Sequence, residues 1–147
     1  MVRINIIKPK FLLDQHLIAE WNEIQMLLGT IVKYPKIKWQ PKTYKLGKGH
    51  INFFKDKAEY LFKRLIEIEE EMATRGYNHE DVYIIIEHYK DLIPFHLKND
   101  WCGPCIGQKE IIIERLLHKH SKKSYWYTYY NKELTVEEYK EILNKAL

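Results

Sequence analysis

Long apolar runs are missing from the chain. The longest, Val82-Tyr83-Ile84-Ile85-Ile86, has five residues against the roughly 18 that a membrane-spanning helix needs, so a transmembrane segment is excluded. Cysteine is scarce, with two residues at 102 and 105, too few for a disulfide framework. The start, Met1-Val2-Arg3-Ile4-Asn5, has no basic segment leading into an apolar stretch of signal-peptide length, so a reducing cytosol is the expected setting. Six glycines and five prolines are too few for a collagen-like or low-complexity chain. No internal repeat is present, and strand-type alternation is sustained nowhere. What remains is 147 residues, 46% apolar, 30% charged and 14% aromatic, the make-up of one globular domain around one core.

Acidic residues are thin in the first part of the chain. Residues 1–57 carry eleven Lys/Arg and four Asp/Glu, whereas residues 58–147 carry thirteen and sixteen. The first part is therefore at +7 and the second at −3. Eight lysines between 33 and 57 face a single acid, Asp56. Such a stretch is either a surface attractive to phosphate or an ordinary solvated lysine-rich loop.

Helical spacing organises the rest. Over residues 13–32, Leu13, Leu17, Trp21, Ile24 and Leu28 fall within about 80° of arc and predict a core stripe. Two polar rows flank it: His16, Glu20 and Glu23 on one side, and Gln15, Asn22 and Met26 further round. Both are expected to face away from the core. Residues 33–51, punctuated by Pro35, Pro41, Gly47 and Gly49, read as a long ordered loop. Loops of that length tend to be functional. A second helix is expected over 56–75, capped by Asp56 and ended by Gly76, with its core side at Tyr60, Leu61, Leu65, Ile68 and Met72. The acids Glu67 and Glu69-Glu70-Glu71 read as its solvated face. A shorter amphipathic stretch to about residue 89 follows, with Val82, Ile85, Ile86 and His88 on one side. A third main helix is expected from Pro104, a residue suited to the first helical position, to about residue 120; its apolar content is Ile106, Ile111, Ile113, Leu116 and Leu117. Thr135-Val136-Glu137-Glu138 has capping-box form and opens a short C-terminal helix. The expected fold class is all-α: three main helices, long ordered loops and a short extra C-terminal helix.

Four ordered segments carry a resemblance. Arg3-Ile4-Asn5 with Asp14-Gln15-His16 through Glu20-Trp21 and Glu23 comes first. Leu46-Gly47-Lys48-Gly49-His50 through Lys57 follows, then Lys63-Arg64 with Arg75-Gly76-Tyr77-Asn78, then Trp126-Tyr127-Thr128-Tyr129-Tyr130. In order and approximate spacing they resemble the pyrimidine-dimer DNA glycosylase/AP lyase family. The resemblance implies that the α-amine of Val2, exposed once Met1 is removed, attacks C1′ of the damaged nucleotide and expels the base. The resulting imine acidifies the C2′ proton, and β-elimination cuts the strand. An α-amine has a reference pKa of about 7.7 to 8.0, so part of it is neutral and nucleophilic near neutral pH. Glu23 matches the family's carboxylate beside that amine. The imine is its own electron sink, so the chemistry calls for no cofactor and no metal.

The same resemblance implies contacts to DNA from Arg3, Gln15, His16, Arg115 and Lys119; Lys45 and Lys48 of the basic loop suit phosphates, Asn22 lies on the side expected to meet DNA, and Trp126, Tyr127 and Tyr129 of the aromatic segment either pack the lesion strand or close the core. The implied partner is damaged double-stranded DNA, read through phosphates and deformability, bent, with the base opposite the lesion extruded. The expected protein is a monomer, with no membrane partner. Asn22 and Met26 stand where the family commonly has arginines, which predicts weaker, less salt-sensitive binding. Two alternatives stay open: a DNA-binding relative that does not cut or prefers another lesion, and a dithiol oxidoreductase built on Trp101-Cys102-Gly103-Pro104-Cys105. The latter motif belongs after a strand, and none is expected. His118 and His120 diverge by about 200° on a helix and do not readily share a metal ion.

Overall fold

The computed structural model describes residues 4–147. Val2 and Arg3, to which the resemblance assigns the nucleophile and one DNA contact, lie outside the described residues. Six helices form among the described residues: α1 (Asp14–Lys33), α2 (His50–Phe54), α3 (Ala58–Thr74), α4 (Val82–Lys90), α5 (Gln108–Lys122) and α6 (Val136–Asn144). Strands are absent there, with only the isolated bridges Lys57 to Lys98 and Tyr129 to Lys132. The expected all-α class with three main helices holds. None of these helices is long and apolar enough to cross a membrane.

The most extensive packing is between α1 and α3. Leu17, Trp21, Ile24, Leu28 and Ile31 of α1 and Leu61, Leu65, Ile68 and Met72 of α3 are all buried. Each large aliphatic side chain taken from water contributes roughly 1.5 to 3 kcal/mol. α4 leans on both through Val82 and Ile85, while α5 meets α6 with Ile112, Ile113 and Leu116 against Tyr139 and Leu143. Thr135 caps α6 as the sequence predicts: its hydroxyl accepts from the Glu138 amide, and Glu138 accepts the Thr135 amide, both at 3.1 Å.

Several local expectations are corrected. α3 starts at Ala58 with no side-chain cap, because Asp56 Oδ1 instead accepts from Gln40 Nε2 at 2.8 Å and Lys57 Nζ at 2.9 Å. α5 starts at Gln108, not Pro104. Gly103 and Gly107 have φ of +96° and +91°, a left-handed backbone that a right-handed helix cannot run through. Ile106 and Ile111 are consequently exposed, and Ile112 takes the core position. His88 also faces solvent. The long loop ends two residues early, at α2. There Gly49 (φ +92°) is required twice over, since a Cβ would sit 2.8 Å from the Trp39 ring. The acidic face of α3 is solvated only at Glu67 and Glu70. Glu69 pairs with His79 at 3.3 Å and Glu71 with Arg75 at 3.0 Å. The largest correction concerns His16 and Glu20, which are buried rather than turned to solvent.

Candidate functional site

The first described residues are clamped against α1, α2 and α3. Ile4 donates its amide to His50 Nε2 at 3.0 Å and accepts from the Tyr44 hydroxyl at 2.8 Å. His50 Nδ1 lies 2.8 Å from the Lys45 carbonyl. A ring whose Nε2 accepts and whose Nδ1 faces a carbonyl is the neutral Nδ1–H tautomer. The next amide, Asn5, donates to Glu20 Oε1 at 3.0 Å. Arg64 then joins everything: Nε donates to Glu20 Oε2 at 2.6 Å, Nη1 to the Ile7 carbonyl at 2.6 Å, and Nη2 to the Asn5 carbonyl and to Glu20 Oε1. Burial by itself would lower the Arg64 pKa, but the Glu20 charge and hydrogen bonds outweigh it and raise the pKa. With both groups buried, losing either would leave a charge stranded in the core.

A second hub fastens the aromatic segment to the start of α1. Arg75 Nη1 donates to Asp14 Oδ1 at 2.9 Å, and the guanidinium lies 5.0 and 4.5 Å from the Tyr129 and Tyr130 rings. Asp14 also accepts from the Thr128 hydroxyl at 2.6 Å and from the Tyr130 and Asn131 amides. Burial pushes the Asp14 pKa up, yet the hydrogen bonds from Thr128, Asn131 and Arg75, with the Arg75 charge, bring it below the ordinary carboxylate value. Gln15 exchanges two further hydrogen bonds with Thr128, at 2.9 and 3.1 Å.

These ties set the Tyr127 ring 4.8 Å from His16. His16 is buried, and among the described residues neither ring nitrogen has a hydrogen-bond partner. Burial, then the charges of Lys119, Arg115 and His120, depress its pKa to about 3. His16 is therefore a neutral imidazole at ordinary pH. His120 of α5 lies 6.2 Å from the same Tyr127 ring, which brings α5, with its basic pair, beside the start of α1.

Of the residues singled out from sequence, the structure thus gathers Gln15, His16, Arg115, Lys119 and Tyr127 into one neighbourhood. Glu23, three residues beyond Glu20 on α1, is half-buried and takes no hydrogen bond or ion pair among the described residues. Asn22 and Met26 are exposed on the outer row. Lys48 is exposed, and Lys45 holds its ammonium 5.5 Å from the Trp39 ring while its carbonyl meets His50. Trp126 is exposed and packs edge-on against Tyr127 at 5.1 Å. Tyr129 is braced, its ring on Arg75 and its hydroxyl 2.7 Å from the Lys10 carbonyl. His118 is exposed and His120 buried, as their divergence predicts. Sequence reading missed Tyr44, His50 and Asp14 as the groups that hold the site. His50 and Asp14 stand within segments that carry the resemblance, but the holding role of all three runs through partners distant in the chain.

Residues 1–84 match the pyrimidine dimer DNA glycosylases. The chain belongs to that family. The matched part of this DNA glycosylase holds the clamp around Ile4, all of α1, α2 and α3, and the first residues of α4. The aromatic segment and the α5 basic pair lie beyond it and join the matched part through Asp14, Gln15 and His16. A DNA glycosylase acts on damaged DNA, and the basic stretch between residues 33 and 57 suits a polyanionic partner.

Proposed function

We propose that this glycosylase uses the α-amine of Val2, freed by removal of Met1, and couples base removal to strand cleavage. The observation that carries the reading is the clamp on residues 4–7. The Ile4 amide is fixed on His50 at 3.0 Å, and two residues of chain reach no more than about 7 Å, so the proposal requires C1′ of the damaged nucleotide to come within about that reach of the clamp. Asn5 is tied to Glu20, and Glu23 lies only about 4.5 Å further along the helix axis. A half-buried carboxylate without a protein partner among the described residues is available to stabilise cationic character at a sugar and to move a proton.

In this reading the neutral amine attacks C1′ and the C1′–base bond breaks. The nitrogen lone pair forms the imine as the C1′–O4′ bond opens and O4′ takes a proton, C2′ then loses a proton, and the electron pair expels the 3′ oxygen with its phosphate. Glu23 serves as the carboxylate throughout. Arg115 and Lys119 hold phosphates, joined by Lys45, Lys48 and Arg3. Gln15, Tyr127 and Trp126 line the cleft, the buried His16 backs Tyr127 from beneath, and Tyr129 braces the cleft. The enzyme works as a monomer on damaged duplex without metal or cofactor. Glu23→Gln tests the assignment: binding to ultraviolet-irradiated duplex should persist while incision of irradiated and of abasic duplex falls roughly 10²- to 10⁴-fold. Unchanged incision would remove Glu23 from its role.

A further inference from the structure

The segment Trp101-Cys102-Gly103-Pro104-Cys105 has no part in the proposed reaction. Its two thiols are the only ones in the chain, and both are free and exposed. Each therefore has only the other as an intrachain partner. The loop that carries them is anchored at both ends. Trp101 sits in an aromatic cluster, 5.0 Å from Tyr60, 5.2 Å from Phe53 and nearly parallel to Tyr44 at 6.1 Å. At the other end, the Cys105 amide donates to Gln108 Oε1 at 2.7 Å, and its carbonyl accepts the Gln108 amide at 3.2 Å.

Between the anchors lie two residues with opposite properties. Gly103, at φ +96°, has open space where a Cβ would project, and glycine is the residue with the widest choice of backbone conformations. Pro104 holds its own φ fixed and limits the loop to few conformers. Cys102 Sγ lies 3.8 Å from the Gly103 carbonyl. Closing a ring across two residues costs little chain entropy, and both fixed ends can stay in place while it closes.

We infer that Cys102 and Cys105 form a reversible dithiol–disulfide pair that exchanges with a low-molecular-weight disulfide of the glutathione type. One thiolate attacks the small disulfide, giving a protein–glutathione mixed disulfide and one glutathione thiolate. The second protein thiolate attacks the protein sulfur of that intermediate and expels the other glutathione. The pair loses two electrons and two protons, and one disulfide is reduced to two thiols. The loop leads directly into α5, and Trp101 touches the Tyr44 that holds Ile4. Two contacts, Trp101 to Tyr44 and Tyr44 to Ile4, thus join the loop of the pair to the clamped segment.

The full chain, without DNA, should be equilibrated in glutathione buffers, quenched with acid, alkylated and weighed. The wild type should pass from two alkylated thiols to an internal disulfide over about a hundredfold change in the quotient of oxidised to squared reduced glutathione. Cys102→Ser and Cys105→Ser should stop at one bound glutathione. Wild-type chains that stay dithiol in excess oxidised glutathione, carry one or two glutathiones, or cross-link to each other would overturn the inference. Because no DNA is present, that result leaves the repair reading untouched.

Discussion

Arg64 is the residue on which the clamp depends. Arg64→Met leaves the Glu20 carboxylate and the Asn5 and Ile7 carbonyls without their donor inside the core, and should destabilise the fold by about 3 to 5 kcal/mol, read from the urea midpoint. Replacing Glu20 by Leu in the same chain should recover part of the loss, because no charge is then stranded. His16 makes a second test at this scale. Its folded pKa of about 3 lies below the roughly 6.5 of an unfolded histidine. Between those values the unfolded chain holds a proton that the folded one does not. Stability therefore climbs as pH rises from about 3 to about 6.5, by up to about 1.4 kcal/mol per pH unit from this residue, and then levels. His16→Phe should remove that slope. A His16 ring resonance titrating near pH 6.5 in the native protein would contradict the burial argument. Asp14 acts lower: its lowered pKa contributes stability that is complete above the unfolded value and fades as pH falls through the folded one.

At the scale of the element, the α6 cap is the cleanest local device. Thr135→Ala should cost about 1 kcal/mol, measurable as a shift in thermal midpoint. α1 and α3 were legible because a long 3.6-residue period survives any tertiary surroundings. The same period carried a signal for the buried pair, since Arg64 sits inside the stripe of Leu61, Leu65 and Ile68. α2 has five residues, too few to show a period. Asp56 and Pro104 obey good local rules that tertiary partners override, Gln40 and Lys57 in one case and the left-handed glycines in the other. The aromatic segment follows no period. Its shape comes from Asp14, Gln15 and Arg75, which no spacing connects to it.

For the whole molecule, the phosphate contacts proposed for the basic stretch predict how binding responds to salt. Each lost phosphate contact lowers the slope of log affinity against log salt by about 0.9. Replacing Lys45 and Lys48 together by Ala should flatten it by about 1.8, with little effect on stability, since both are exposed. Restoring arginines at positions 22 and 26 should steepen it. For the candidate site the sequence offers residues as expectations but not their arrangement. The burial of His16, the Glu20 ion pair and the gathering of α5 beside α1 all arise from contacts between distant segments. The most direct test of the account is borohydride reduction of the protein mixed with abasic-site duplex, followed by peptide mapping of any covalent product. The account predicts one adduct, on the α-amine of Val2, that disappears when Met1 is retained. No adduct, or one on a lysine side chain, would contradict it.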